Sequence, residues 1–392
     1  MKIVQINVTC GIGSTGKICL EVSKLLTEKG IENYILYSSG KSDYPLGIKY
    51  TSDKYIKLQA LKSRIFGNYG FTSKRATKKL IKKLDEIKPD IIHLHNLHGH
   101  NVHLEMLLDY IRENNIKTFW TFHDCWTFTG YCPHYAMVKC DKWKTGCHNC
   151  IRCKEFSWFF DRSEKLYKKK KEATKNLDLT IITPSNWLAD QVKESFLKDY
   201  PVKVINNGID LDVFKPTESD FKKNNCLENK KIVLGVAFDW GVRKGLDVFV
   251  ELAKRLPQDY QIVLVGTNDN VDKQLPNNII SIHRTHNQRE LAEIYTASDV
   301  FVNPTREENY PTVNMEAIAC GTPVVTFRTG GSPEMLDDKT GIVVDCDDIE
   351  KLVEAIAFVC ENNSNVKEFC HHKSKQFNKN DRFQDYIDLY ME

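Results

Sequence analysis

Two carboxylates, Glu308 and Glu316, stand with seven residues between them in the stretch from Arg306 to Pro323. Pro311 suits the first position of a helix, where a missing N–H costs nothing. Met315, Ile318 and Ala319 give that helix an apolar face, and Gly321 and Pro323 end it. Its first N–H groups, around Thr312 and Val313, have no partner within the helix, so this end attracts phosphate. From Thr312 to Glu316 the helix rises about 6 Å. That is the scale of a diphosphate whose flanking rings carry hydroxyls for the two acids. Taken alone, the spacing fits more readily a helix-favouring Glu316 and a solvated Glu308.

Other residues that could do chemistry sit at predicted strand ends. The strand Thr118–Phe122 ends in His123-Asp124, and Asp90–His95 is followed by Asn96. Catalytic groups of doubly wound folds collect at such carboxyl ends. His93, His95 and His98 show no clear ligand spacing and read as structural. The first strand, ending at Val8, runs into Gly11-Ile12-Gly13-Ser14-Thr15-Gly16-Lys17 and a helix. This is a phosphate-cradling layout, although Ile18 stands where a nucleotide triphosphatase needs a magnesium-ligating Ser or Thr. Gly13 and Gly16 border a ligand or merely allow close helix packing. Arg243 and Lys244 precede another helix, where a cation opposes the dipole unless an anion binds beside it.

Six cysteines, Cys125, Cys132, Cys140, Cys147, Cys150 and Cys153, fall within 29 residues. Cys132, Cys140, Cys147 and Cys150 could give four thiolates to a structural zinc, and free thiols fit the spacing equally. Trp126, Tyr131, His134 and Trp143 lie in the same loop and could stack on sugar rings.

The residues Glu308-x7-Glu316 before Ala317-Ile318-Ala319-Cys320-Gly321-Thr322-Pro323-Val324-Val325 resemble the donor-site signature of family-4 retaining glycosyltransferases. The run from His123 to Cys132 is similar to a subgroup acting on bacterial surface polysaccharides (capsule, exopolysaccharide, lipopolysaccharide). Asn207-Gly208-Ile209-Asp210, with Phe214 and Pro216, resembles the family's interdomain linker, and the polar run 218–231 reads as an exposed connection. The resemblance implies an α/β protein of GT-B fold, with two Rossmann-like lobes of parallel sheet and a cleft between them. The expected boundaries are 1–205 for the acceptor lobe, including a Cys-rich insertion at 125–153 and a crossover helix from about 378 to 392. The donor lobe is 206–377.

The resemblance also implies roles. His123, Glu308, Lys244 and Arg243 are catalytic, with Lys244 and Arg243 on the leaving diphosphate. Arg243 replaces an arginine that the family usually carries a few residues earlier, where Phe238 and Asp239 stand here. Glu308, Asn309, Tyr310, Pro311, Thr312, Val313 and Glu316, with Gly13 and Gly16, bind a nucleotide diphosphate sugar. Asn96, Asp124 and Trp126 face the acceptor. Transfer proceeds with retention and no cofactor is required, structural zinc aside.

Composition sets the bounds. At 392 residues and 41% hydrophobic, the chain suggests two globular domains. Its thirteen cysteines, without an export signal, suit a reducing cytoplasm. The net charge of +3 hides an asymmetry: residues 1–200 hold 33 Lys+Arg against 21 Asp+Glu, and 201–392 hold 22 against 31. The basic helical region 54–88, and Lys168–Lys171 preceded by Trp158-Phe159-Phe160, fit an enzyme resting on the inner face of the cytoplasmic membrane and using a lipid-linked glycan. Two alternatives stand beside transfer: a nucleotide-sugar hydrolase or epimerase on the same fold, and a basic zinc-containing nucleic-acid binder. The second leaves the paired glutamates unexplained, so no nucleic acid is expected.

Overall fold

The computed structural model describes residues 1–362 and 366–392, and the chain divides into two compact units. The first comprises Met1–Ile205 and Phe383–Glu392; the second is Asn206–Arg382.

The first unit is built on seven parallel strands: β1 Lys2–Asn7, β2 Glu32–Tyr37, β3 Gly47–Lys49, β4 Ile91–Leu94, β5 Lys117–Thr121, β6 Leu179–Thr183 and β7 Val202–Val204. Their spatial order is β3-β2-β1-β4-β5-β6-β7. Parallel strands covered on both faces read as continuous apolar runs rather than alternations. Accordingly Ile3, Val4 and Ile6 of β1 are all buried, and the polar Gln5 among them is fully bonded inside. The order reverses direction between β1 and β4, and ligands of such sheets bind beyond the carboxyl ends at that reversal. The glycine turn after β1 and Asn96 after β4 lie there; His123 follows the neighbouring β5.

The second unit repeats the plan with β8 Lys231–Val236, β9 Tyr260–Val265, β10 Ile279–Ile282, β11 Val300–Asn303, β12 Val324–Phe327 and β13 Gly341–Val344, ordered β10-β9-β8-β11-β12-β13. Its reversal falls between β8 and β11. The loops beyond those two strands carry Arg243 and Lys244 on one side and Arg306 to Pro311 on the other.

Two expectations need adjusting. The polar run 218–231 is not a free connection: it folds into the second unit through a short helix, Phe221–Asn224, with Leu227 in the core and Lys222 paired to Asp299 at 2.8 Å. The basic region 54–88 is two helices, Asp53–Phe66 and Lys74–Ile87, because Gly67 takes a left-handed φ of 67° and stops the first. The expected final helix is Lys379–Met391, and the first unit takes in its residues from Phe383 onward. Phe383, Tyr386, Ile387, Leu389 and Tyr390 of that helix are buried with Ile3, Val22, Leu26, Ile91 and Phe119.

Candidate functional site

In the second unit, β11 leads through Pro304 and Thr305 to the loop bearing Glu308, and the helix Thr312–Ala319 starts one residue after Pro311. Pro311 is thus the residue before the first helical turn, not within it. It offers no side-chain cap, so the leading N–H groups are left for an outside acceptor. The loop is held from beneath. The Thr305 hydroxyl donates to the Glu307 carbonyl (3.2 Å), and Gly331 N–H donates to the Asn309 carbonyl (2.8 Å). Gly330 has a φ of +54°, and a Cβ there would fall 1.7 Å from the Glu308 carbonyl oxygen. Only glycine lets these two loops approach so closely.

Two of the expected site residues meet directly: Lys244 Nζ lies 2.5 Å from Glu308 Oε2, each side chain about one-fifth exposed. Arg243 is half-buried on the same turn, its guanidinium 3.5 Å from the Glu307 carbonyl. Glu316 remains partly accessible, and the buried Tyr295 donates its hydroxyl to Glu316 Oε2 at 3.2 Å. Burial, then the Glu316 charge, push the Tyr295 hydroxyl well above its ordinary pKa, so Tyr295 stays a donor. Asn309 and Tyr310 are buried, while Thr312 and Val313 are half-exposed at the helix start.

Sequence reasoning missed two supports here. Tyr295 is one. The other is Arg306, which forks onto both Asp247 oxygens (2.8 Å each) and also reaches Asp347 (2.7 Å). Hydrogen bonds to Asp247 lead in raising the Arg306 pKa and help hold the half-exposed Asp247 carboxyl below the usual range against partial desolvation. Nothing local to Arg306 announces partners 59 and 41 residues away.

In the first unit the histidines form a chain. The Gln5 amide nitrogen donates to the Cys19 carbonyl (2.9 Å), which turns Gln5 Oε1 toward His95 Nε2 (3.2 Å). That oxygen can only accept, so the proton of His95 sits on Nε2 and Nδ1 is the acceptor. His123 Nε2, 3.2 Å from His95 Nδ1, must then be the donor, and the His123 lone pair is on Nδ1. Burial holds both imidazoles neutral: His123 is pushed down to about 4, and His95 well below its ordinary value. His93 is fully enclosed, bonded to Thr121 Oγ1 (2.7 Å) and the Tyr390 hydroxyl.

Beside them, Asp124 Oδ2 is 2.7 Å from His98 Nε2, and Asp124 Oδ1 accepts the Trp126 N–H at 2.8 Å. These bonds and the His98 charge outweigh desolvation and hold the Asp124 carboxyl near 2. Asp124 therefore positions His98. Asn96, half-exposed, accepts from the His98 N–H and donates its own N–H to Asn7.

Several loop residues differ from expectation. Trp126, Tyr131 and Trp143 are core residues no more than 2% exposed, so none can stack on a sugar. Trp126 cannot face an acceptor: its ring packs against Tyr69, His98 and Lys170. The two singled-out glycines separate. A Cβ on Gly16 would lie 2.6 Å from Thr9 Oγ1, which gives Gly16 a packing role and removes it from any ligand surface. Gly13 takes a φ of +69° and faces open space. Lys170, in the run Lys168–Lys171, points inward. Its place on the buried stripe Ser163, Leu166, Tyr167, Lys170, Ala173 was the available signal. The set Cys132, Cys140, Cys147 and Cys150 lines one small cavity, whereas Cys125 is buried elsewhere in the loop and Cys153 lies outside it.

With this geometry in hand, the chain was compared with known proteins. Residues 15–213 match the model of Glycosyltransferase Family 4, and residues 230–362 match that of Glycosyl transferases group 1. The chain belongs to glycosyltransferase family 4. An Escherichia coli K12 protein named as colanic acid biosynthesis glycosyl transferase WcaC is 24% identical over 376 residues, covering 90% of each chain. Among solved structures, sucrose-phosphate synthase from Thermosynechococcus elongatus has a TM-score of 0.73 at 18% identity, covering 100% of this chain and 98% of the other. HepE from Anabaena, solved with UDP-glucose, has a TM-score of 0.70 at 14% identity, covering 100% and 99%. These likenesses give the chain the GT-B fold.

Proposed function

We propose that this glycosyltransferase moves a sugar from a nucleotide diphosphate sugar to a lipid-linked glycan during bacterial surface-polysaccharide synthesis, with retention at the anomeric carbon. The observation that carries the donor half is the arrangement of Glu308 and Glu316 around an uncapped helix start, with Lys244 against Glu308. Bound diphosphate takes the free N–H groups and draws Lys244 from Glu308 to a phosphate oxygen. Glu308, released, orients the sugar; Glu316, steadied by Tyr295, accepts from the ribose hydroxyls. HepE binds UDP-glucose, which makes UDP-sugars the first donors to test.

In the reaction the bond from the anomeric carbon to the phosphate oxygen breaks and the bond to the acceptor oxygen forms on the same face. The acceptor proton passes to the departing phosphate oxygen. Lys244, Arg243 and the helix N–H groups neutralise the diphosphate, so added Mg²⁺ or Mn²⁺ is not needed.

The surface-polysaccharide setting rests on the WcaC relative, and the lipid-linked acceptor on the first unit's surface. Trp158, Phe159 and Phe160 are 47–67% exposed, and Phe160 borders a groove lined by Arg162, Lys165, Lys168 and Lys169 together with Glu105, Asp161, Glu164 and Glu172. Exposed aromatics beside lysines suit the headgroup region of an anionic bilayer. Among the described residues no helix is long and apolar enough to cross a membrane.

The test incubates labelled UDP-sugars with and without membrane glycolipid extract and reads product anomeric configuration by NMR. Lipid-phase label of the donor's own anomeric configuration is expected. Free sugar in place of glycolipid refutes transfer to a lipid-linked acceptor, and inverted product refutes retention.

A further inference from the structure

We propose that Cys132, Cys140, Cys147 and Cys150 hold one structural zinc ion that fixes the loop following His123-Asp124. Of the six cysteines in this loop, these four line a single cavity of about 30 Å³, closed around by Tyr131 and Trp143. That volume admits an ion but little else. The Cys132 and Cys150 thiols hydrogen-bond to each other.

Main-chain donors face two of the sulfurs. Gly130 N–H donates to the Cys147 sulfur at 3.1 Å, and the Arg152 backbone N–H bonds the Cys150 sulfur. The second places a donor two residues after the last cysteine of Cys147-x2-Cys150, where a turn can aim main-chain donors at sulfur. Lys170 supplies a further sign. Its side chain is completely buried, its Nζ is bonded to the carbonyls of Trp126 (2.6 Å) and Thr129 (3.0 Å), and it sits 3.7 Å from the Trp126 ring centre. Burial pushes its ammonium well below the ordinary lysine range, so only nearby anions favour the charged form. The groups that favour it are Cys147, the Asp124 carboxylate and Cys132, and four thiolates around Zn²⁺ would add two net negative charges to that set. Binding is balanced as four thiols and Zn²⁺ giving the tetrathiolate and four protons.

The sulfurs are more widely set than a closed ligand shell: among the described residues, the group whose ligand atoms lie within 4.8 Å of one another is Asp269, Asp272 and His283. Closing the shell on the metal therefore requires the cysteine side chains to change rotamer. Asp272 and His283 are already bonded to each other (2.6 Å) on an exposed surface, so that triad needs no ion. The consequence of the zinc lies at Trp126 and Asp124: Lys170 ties the metal loop to the Trp126 carbonyl, and the Trp126 N–H holds Asp124.

The test is metal analysis of full-length protein purified without chelator. One zinc per chain is expected, released as a mercurial titrates four protected thiols. Cys140→Ser and Cys147→Ser each lower bound zinc at least ten-fold, whereas Cys153→Ser keeps it. If the serine variants do not fold, cobalt exchanged into wild-type protein must show the intense visible bands of a tetrahedral thiolate site. Chains without zinc that also take up no cobalt overturn the proposal, as does a non-reduced mass showing a disulfide among the four, or equal zinc loss in Cys153→Ser.

Discussion

Gly330→Ala should uncouple the acidic loop from its chemistry. The new Cβ would lie 1.7 Å from the Glu308 carbonyl oxygen and 2.7 Å from its carbon. A carbon–oxygen contact needs about 3 Å, so the Glu308 backbone has to retreat by about 1.3 Å, or Gly330 by as much. The left-handed φ adds about 1–2 kcal/mol for a residue with a Cβ, and forced repacking about 1–3 kcal/mol. For a unit of this size each kcal/mol lowers the melting temperature by about 2–4 °C, so a drop of about 4–20 °C is expected. Misplacing a substrate-positioning group by about 1 Å costs about 100-fold in rate. The assay is kcat/KM for donor turnover well below the variant's melting point, with Gly341→Ala as control. A Cβ there meets the Val324 carbonyl at 2.1 Å between β12 and β13, away from the acids. The control should lose stability but keep its rate. Wild-type kcat/KM in Gly330→Ala, or equal rate loss in both variants, refutes the reasoning.

Glu316→Gln should weaken UDP binding by about 10-fold, as expected for one charge-assisted hydrogen bond, and Tyr295→Phe by a smaller factor; calorimetric titration decides. Arg306→Ala, which leaves Asp247 and Asp347 without their shared cation, should lower stability by about 1–3 kcal/mol in urea unfolding followed by fluorescence. His93, held near 3, and His100 and His123, both near 4, lie below the unfolded value of 6.5. Their neutral forms are favoured by folding, so stability is present above pH 6.5 and falls as pH drops from 6.5 toward 4. Melting curves of the whole protein across that range should show this, and a flat profile counts against it. Replacing Trp158, Phe159 and Phe160 together by Ser should abolish sedimentation with anionic vesicles and leave the melting temperature within about 2 °C, since exposed side chains contribute little to stability.

How far the sequence could be read follows from where the information lies. Apolar strand runs, the helix from Thr312 and the glycine turns are local patterns, and the two doubly wound sheets could be laid out from them. The acids flanking the helix were singled out only through the family resemblance, since their spacing alone favours a helix-promoting Glu316 and a solvated Glu308. Residues whose meaning depends on distant partners were not legible. Trp126 looks like any loop tryptophan until Tyr69 and Lys170 close over it. The proton arrangement at His123 is set by Gln5, which is fixed in turn by a carbonyl in the first helix. The Arg306 clamp joins three loops. The pairing of Lys244 with Glu308 joins two residues that the family resemblance singled out separately.

The helix Lys379–Met391 has a consequence for synthesis. Its first residue is tied to Asp210 of the second unit, while Phe383 to Tyr390 complete the core around Ile3 and Val22. During translation those completing residues emerge only after all of 206–382 has been made. The amino-terminal unit therefore keeps an open apolar face until the second unit has been made, so it cannot finish folding first as amino-terminal domains usually do. A premature stop near residue 380 would harm the half of the protein that was made first.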